Sequence, residues 1–200
     1  GRGSVKRFIL VGDGYFAGRD AEAVTADPQT RLVAIFTDTG RENTVSAFSE
    51  ANDVLLHNGP ELLQGEVALP VADWLLNVNS TVILPERVLA EFPDRALNLH
   101  NGPLPEYAGR HVHQWGIRNG ETTFASTIHL MEPGVDTGAI VASRQYPIYD
   151  GDTGLSLFRR SFDVGVGLMM VVLEQILADK ALAPRPQDLA RRRLYRHADA

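Results

Sequence analysis

The chain has 200 residues, of which 44% are hydrophobic and 22% charged, with no cysteine and a formal net charge of −6. The length suits one domain, or two small ones, that can bury a core without cross-links, and the lack of cysteine excludes disulfides, thiol nucleophiles and thiolate-bound metals. The negative charge argues against a nucleic-acid partner, and the sequence has neither an apolar stretch of transmembrane length nor a signal-peptide core. We therefore expect a cytoplasmic protein without nucleic-acid or membrane partners.

The first half of the chain alternates strand-like and helix-like segments. Residues 7–11 and 32–36 form short, mostly apolar runs, and residues 19–25 between them can form a helix. This strand–helix–strand order predicts a parallel sheet with a right-handed crossover. The other elements predicted in this half are strands at 54–56, 74–78 and 96–100 and helices at 44–52, 61–64 and 85–92.

The second half begins with a long loop at 101–111, which has two glycines and two prolines and no periodicity. Residues 154–178 carry apolar side chains at three- and four-residue spacing, which predicts a long helix packed on the core. A short helix at 114–118 and strands at 123–131 and 139–149 are predicted between them. We expect a Rossmann-like α/β fold, with a twisted, mostly parallel sheet of about six or seven strands and helices on both faces.

The densest group of chemically active residues follows the fifth predicted strand. Asn98 and His100 share one face of this strand, because side chains alternate along a strand, and they lie at the end where open α/β sheets bind ligands. Acyl transfer needs a group that moves a proton and an N–H that holds a developing oxyanion, which a histidine and an amide supply. Asp136, in a glycine-flanked loop, is the candidate carboxylate that orients the histidine.

Six short motifs surround this group between about Trp74 and Phe158: Asn98-x-His100, Leu104-Pro105-x-Tyr107-x-Gly109, Gln114-Trp115, Asn119-Gly120, Thr127-x-His129-x-Met131 and Gly134-Val135-Asp136-Thr137-Gly138. Together they resemble the signature of the 10-formyltetrahydrofolate-dependent formyltransferases, which include the glycinamide ribonucleotide and methionyl-tRNA enzymes. The resemblance implies that His100 is the general acid and base, that Asn98 is the oxyanion donor and that Asp136 is the partner of His100.

The resemblance also implies 10-formyltetrahydrofolate as the formyl donor. The acceptor would be an amine that attacks the formyl carbon as a neutral nucleophile and forms a tetrahedral intermediate. Two segments match those whose backbone holds the pterin ring in the family: Val82, Ile83 and Leu84, and Glu132, Pro133, Gly134 and Val135.

The chain departs from the family pattern at two places. The segment 101–105 reads Asn-Gly-Pro-Leu-Pro where most members carry Pro-Ser-Leu-Leu-Pro, and this variant resembles formyltransferase-like modules of nonribosomal peptide assembly lines. It implies an amino acid, a hydroxylated amine or a peptide amine as acceptor, free or carrier-bound, in secondary metabolism. At the first turn, Tyr15 and Phe16 place bulk where the glycinamide ribonucleotide enzymes hold a phosphate, which argues against a nucleotide acceptor.

Several other residues are candidates for contacts with the acceptor. An arginine fork could hold an acceptor carboxylate. His129 is expected to be a structural histidine of its strand that could support the site, and no metal site is expected because the histidines lack carboxylates at helical ligand spacing. The candidate acceptor contacts are Gly12, Tyr15, Arg110, His111 and His113.

Two alternative functions remain open at this point. The pattern Gly12-x-Gly14-x-x-Ala17 after a strand, with Asp38 after the next strand, matches the dinucleotide fingerprint of NAD(P)-dependent oxidoreductases. It leaves the group from Asn98 to Asp136 unexplained. The second alternative is a non-catalytic or altered binding module on the formyltransferase fold, suggested by the Gly102-Pro103 variant.

Composition and the resemblance together divide the chain into three expected segments. Residues 1–4 have the composition of a cloning remnant, residues 5–183 form the formyltransferase catalytic domain, and residues 184–200 form an arginine-rich, solvated tail. A neighbouring domain or a second copy of the chain is the macromolecular partner that this division allows.

Overall fold

The computed structural model describes residues 4–39, 44–65 and 67–196, so most of the expected remnant at 1–4 lies outside the described residues. The chain divides into two compact units. The first consists of Gly1–Asn98 and Leu173–Ala181, and the second of Leu99–Val172 and Leu182–Ala200. Among the described residues, no helix has the length and apolar character that a membrane span needs.

The first unit alternates strands and helices in the predicted order. Its strands are β1 (Lys6–Gly12), β2 (Thr30–Thr37), β3 (Leu55–Asn58), β4 (Trp74–Val78) and most of β5 (Ala96–His100). Its helices are α1 (Gly14–Thr25), α2 (Thr44–Asn52), α3 (Glu61–Gln64) and α4 (Glu86–Leu89). Strand β1 pairs in parallel with β2 and β4, and its Phe8–Val11 run is fully buried, as expected for a central strand covered on both faces.

Helix α1 begins five residues earlier than the predicted start at Arg19. Glycines at positions 14 and 18 have low helix propensity, which is why the sequence pattern places the start too late. The helix forms because Ala17, Ala21 and Val24 are fully buried on one of its faces. Packing of this face outweighs the propensity of the glycines.

The second unit contains the remaining elements. They are β6 (Ala108–Gly109), α5 (Val112–Arg118), β7 (Thr123–Leu130), β8 (Ile140–Pro147), most of α6 (Gly154–Leu177), a 3₁₀ turn (Leu189–Arg191) and β9 (Leu194–Tyr195). Strands β7 and β8 are antiparallel. The sheet has seven strands in the order β3-β2-β1-β4-β5-β7-β8. This mostly parallel sheet flanked by helices confirms the predicted fold class.

The C-terminal segment from 184 to 196 is mostly exposed, but it belongs to the second unit and is attached to it by specific contacts. Residues 182–196 belong to the second unit, where β9 pairs in parallel with β6. Tyr195 stacks on Tyr107 and Trp115 with ring centroids 5.4 and 5.2 Å apart. These backbone and aromatic contacts attach the segment to the second unit. The sequence does not predict them, because such contacts produce no periodic pattern. Residues 197–200 of the predicted tail lie outside the described residues.

Asp20 is a charged residue in the core of the first unit. It lies on the buried face of α1 with no exposed surface, and neither carboxyl oxygen has a hydrogen-bond partner in the described part of the chain. Burial raises the pKa of Asp20 from 3.8 to about 7, against a smaller lowering by Arg19. Below about pH 7, the carboxyl of Asp20 is therefore mostly protonated in the folded protein.

We expect the change in the free energy of unfolding caused by Asp20→Asn to be more favourable at pH 8 than at pH 5. A carboxyl whose pKa rises on folding favours the folded state while it is protonated, and this contribution is lost as the pH rises from about 4 to about 7. Urea unfolding at both pH values measures the difference. Glu22→Gln, an exposed change on the same helix, is the control. An effect of Asp20→Asn that does not vary with pH would contradict this account of Asp20.

Candidate active site

The second unit brings together His100 and Asp136, which the sequence places 36 positions apart. His100 ends β5, and Asp136 lies in the loop between β7 and β8. His100 Nδ1 lies 3.5 Å from Asp136 Oδ2, and the two side chains are only 8% and 11% exposed. The pair has the geometry in which a carboxylate orients an imidazole and stabilises its protonated form.

His129 contacts the same carboxylate from the other side. Its Nε2 lies 3.3 Å from Asp136 Oδ1, and its Nδ1 lies 2.8 Å from the carbonyl oxygen of Leu130. The backbone N–H of Gly109 donates to Asp136 Oδ2 at 2.8 Å. Each oxygen of Asp136 therefore faces an imidazole. The sequence pattern identifies His129 as a strand residue, and spacing alone does not reveal this contact.

These contacts determine the protonation state of Asp136. Burial by itself would raise the pKa of this carboxyl, because a charged group loses hydration in the interior. The charges of His100 and His129 and the hydrogen bonds from His129 and Gly109 outweigh burial and hold the pKa of Asp136 well below its usual range. Asp136 is therefore ionised, and it provides a fixed negative charge beside both imidazoles.

The backbone of the Asp136 loop is tightly shaped. Asp136 has a φ of 54°, in the left-handed region that non-glycine residues seldom adopt. A Cβ at position 138 would lie 1.7 Å from the carbonyl oxygen of Leu130, so only glycine fits there. The glycine pattern that flanks Asp136 in the sequence therefore has a steric cause.

The other ring nitrogen of His100 faces a backbone carbonyl. Its Nε2 lies 2.6 Å from the Tyr107 carbonyl oxygen. A Cβ at position 102 would lie 3.0 Å from this oxygen and 3.1 Å from His100 Nε2, so the unusual Gly102 leaves room for the contact. Both neighbours of the ring are hydrogen-bond acceptors, so each ring nitrogen of His100 faces an oxygen.

Asn98 is positioned by a second asparagine within the first unit. Asn77 Nδ2 donates to Asn98 Oδ1 at 2.9 Å, which directs the Nδ2 group of Asn98 away from Asn77. Asn77 is 8% exposed and interrupts the otherwise apolar strand β4. That interruption is the sequence signal by which this partner could have been found.

The other sequence candidates lie in different surroundings. Arg110 and His111 are exposed between β6 and α5, and His111 has a φ of 57°. His113, by contrast, is buried, with 6% of its surface exposed and its Nε2 lying 3.1 Å from Ser161 Oγ, so its surroundings favour a packing role over the expected acceptor contact. Burial, with a smaller contribution from the charge of His100, lowers the pKa of His113 to about 3. His113 is therefore a neutral ring that packs in the interior.

The candidate residues of the first turn differ in exposure. Tyr15 is exposed, whereas Gly12 is buried, and a Cβ at Gly12 would lie 2.3 Å from the Val78 carbonyl oxygen. Asp13 Oδ1 accepts hydrogen bonds from Thr37 Oγ1 at 2.8 Å and from the backbone N–H of Asp38 at 2.6 Å. A carboxylate therefore lies at the start of α1.

The two segments expected to hold a pterin present apolar surface within their own units. Ile83 is 71% exposed, between the half-buried Val82 and the buried Leu84. In the second unit, residues 132–135 are exposed, and Val135 is the large apolar side chain among them. In the part of the chain that the structure describes, no group of three or more histidine, cysteine, aspartate or glutamate side chains could hold a metal ion.

Known proteins resemble the chain in sequence over most of its length. Residues 41–173 match the model of the family described as formyl transferase. The chain is 38% identical over 136 residues to a methionyl-tRNA formyltransferase of Synechococcus sp., covering 68% of this chain and 42% of that protein. It is 30% identical over 189 residues to a methionyl-tRNA formyltransferase of Levilactobacillus brevis, covering 90% and 56%. The chain thus spans about half the length of these curated relatives.

Solved structures share the fold at lower identity. An N-formyltransferase from Helicobacter canadensis, in complex with folinic acid and dTDP-3-aminofucose, has a TM-score of 0.80 at 19% identity, covering 96% of this chain and 71% of that one. Glycinamide ribonucleotide transformylase 1 from Symbiobacterium toebii has a TM-score of 0.75 at 19% identity, covering 92% and 95%. At these identities the similarity concerns the fold alone.

We expect Asp136→Asn to lower the free energy of unfolding at pH 7 by about 3 kcal/mol, because it breaks a buried charge cluster. A carboxyl whose pKa falls on folding stabilises the folded state above its unfolded pKa, and this contribution is lost as the pH drops toward the folded pKa. The deficit of the variant should therefore shrink below about pH 4. Urea unfolding from pH 7 downward measures it, with the exposed Asp150→Asn as control. A deficit that stays constant into acid would contradict the account of Asp136.

Proposed function

The chain belongs to the formyl transferase family, and from this premise we propose that it transfers a formyl group from 10-formyltetrahydrofolate to an amine. The observation that carries the proposal is the group of His100, Asp136 and His129, which lies within the residues that match the family model. An ionised carboxylate beside an imidazole is the arrangement that proton transfer during acyl transfer needs.

We assign the catalytic roles to three residues. His100 takes the proton from the attacking amine and gives it to the nitrogen that leaves the formyl carbon, so that one N–C bond forms and another breaks. Asp136 stabilises the imidazolium between these two steps. Asn98 donates its side-chain N–H to the oxygen that becomes negative in the tetrahedral intermediate. The hydrogen bond from Asn77 supports this role, since it orients the Asn98 amide.

Each of the two apolar segments, taken within its own unit, is a candidate contact for the formyl donor. Ile83 in one segment and Val135 in the other are exposed apolar side chains of the kind that a flat heteroaromatic ring needs, and the backbone beside each can supply donors and acceptors for the ring edge. We also assign contacts with the formyl donor to the other residues of the two segments, which are Val82 and Leu84 in one and residues 132–134 in the other.

We propose a small amine without a phosphate as the acceptor. Asp13 places a carboxylate at the start of α1, where it would repel a phosphate, and Tyr15 adds bulk at the same turn. The exposed Arg110 could bind the carboxylate of an amino-acid or peptide acceptor, free or carrier-bound, and His111 lies next to it. Together with the Gly102 variant, these features support an acceptor from secondary metabolism.

The Asp13 carboxylate also disfavours the pyrophosphate of an NAD(P) cofactor at the start of α1.

A methionyl-tRNA acceptor is the second candidate, because the two relatives named above are methionyl-tRNA formyltransferases. The net charge of −6 disfavours it, since nucleic acid is polyanionic. The chain spans about half of those relatives, so the comparison leaves both acceptor classes to experiment.

The test is incubation with 10-formyltetrahydrofolate and either a panel of amino acids, hydroxylated amines and peptide amines or methionyl-tRNA. We expect mass spectrometry to detect a formylated small amine, and His100→Ala to lower kcat by about a hundredfold or more, because a general acid and base contributes this much. His57→Ala, a histidine of strand β3, is the control and should retain activity.

Each other outcome has a defined meaning. Formylation of methionyl-tRNA alone would establish the second candidate. Binding of a folate analogue by calorimetry without any product would favour a binding module, and binding of NAD(P) alone would favour the dinucleotide alternative. Near-wild-type turnover of His100→Ala would overturn its catalytic role.

We expect Gly102→Ala to lower kcat by about tenfold while the protein stays folded. The added methyl would lie about 3 Å from both His100 Nε2 and the Tyr107 carbonyl oxygen, so it must displace the catalytic ring or the loop. Gly167→Ala on α6 is the matched control, because its methyl would meet only the end of the Arg144 side chain at 3.4 Å. Equal activity of the two variants would show that position 102 does not determine the placement of His100.

A further inference from the structure

We propose that Gln187, in the C-terminal segment, is a positioning residue for Asp136, and this proposal rests on the function proposed above. Gln187 Nε2 donates to the Asp136 carbonyl oxygen at 2.9 Å and to the Gly138 carbonyl oxygen at 2.7 Å. One side-chain amide thus holds both ends of the short turn that follows Asp136. Because both partners are acceptors, the orientation of the amide is fixed.

The turn needs this support because its backbone is unfavourable. Asp136 has a φ of 54°, in the left-handed region that a residue with a side chain keeps only where surrounding contacts hold it. Gly138 packs against the Leu130 carbonyl with no room for a Cβ, so the turn has little freedom to relax on that side. Gln187 supplies hydrogen bonds from the other side. It thereby holds the Asp136 carboxylate between His100 and His129.

The segment that carries Gln187 is itself anchored beside the Asp136 loop. Arg185 exchanges two backbone hydrogen bonds with Ile140, the first residue of β8, at 2.8 and 2.9 Å. The Arg192 guanidinium donates to the Val135 carbonyl oxygen at 2.7 Å. Gln187 therefore lies between two attachment points, each of which reaches the loop or the strand that follows it.

The same C-terminal segment also contacts the backbone around Gly109, whose N–H donates to Asp136 Oδ2. Strand β9 pairs with β6, and the Tyr195 carbonyl accepts a backbone hydrogen bond from Arg110 at 2.9 Å. A Cβ at Gly109 would lie 2.1 Å from the Tyr195 carbonyl oxygen, so this close approach requires glycine. Gly109 in turn donates its N–H to Asp136. The C-terminal segment thus holds the backbone on both sides of the Asp136 carboxylate.

The test compares Gln187→Ala with Gln187→Glu, which keeps the side-chain length and removes both N–H donors. We expect either change to lower kcat by about ten- to a hundredfold, as for a small displacement of a catalytic group, and to change the KM of the acceptor by less than about threefold. Gln145→Ala, an exposed glutamine on β8, is the matched control and should leave both constants unchanged.

A double-mutant cycle separates positioning from a general structural role. If Gln187 acts through Asp136, Gln187→Ala should cause no further loss of kcat in an Asp136→Asn background, whereas a merely structural role gives the same fold loss in both backgrounds. The same fold loss in both backgrounds would overturn the proposal, and so would an unchanged kcat in either single variant.

A second readout does not depend on activity. In ¹⁵N-labelled protein, the imidazole signals of His100 and His129 should move in both Gln187 variants and stay in place in Gln145→Ala. If the wild type formylates no acceptor, the proposed function fails, and the imidazole signals still decide the role of Gln187. Unchanged signals in Gln187→Glu would then overturn the proposal.

Discussion

An ionised carboxylate in a protein interior is stable only where donors replace the water that it has lost. Asp136 meets this requirement with imidazoles facing both oxygens and a backbone N–H on one of them. Three parts of the chain must bring these groups to Asp136. Strand β5 must deliver His100, β7 must deliver His129, and the loop from 101 to 111 must return so that Gly109 points its N–H at the carboxylate.

The loops that meet at Asp136 have little regular structure of their own, so other parts of the unit hold them. Gly102 lets the Tyr107 carbonyl reach His100, and Thr127 Oγ1 donates to the Gly102 carbonyl at 2.9 Å from within β7. The C-terminal segment packs on both loops through Gln187 and β9. A segment that looks like a charged tail in the sequence therefore belongs to the support of the site.

The sequence predicted most of the fold and part of the site, and the difference has a physical cause. Strand alternation and the glycine-flanked loop identify Asn98, His100 and Asp136, because such local rules leave a visible pattern. His129 and Gln187 act through contacts between distant parts of the chain, and Gln187 lies 51 positions from Asp136. The burial of His113 also escapes the sequence pattern, because it depends on contacts with Phe124 and Phe158, which belong to other elements of the fold.

The most direct test of this account is the ¹³Cγ chemical shift of Asp136, assigned by comparison with Asp136→Asn and followed from pH 7 to about pH 3.5. The contacts with His100, His129 and Gly109 predict that the signal keeps its ionised position while exposed carboxyls titrate near their ordinary pKa of about 4. A titration of Asp136 together with those exposed carboxyls would contradict the account, because it would mean that the imidazoles do not hold the carboxylate.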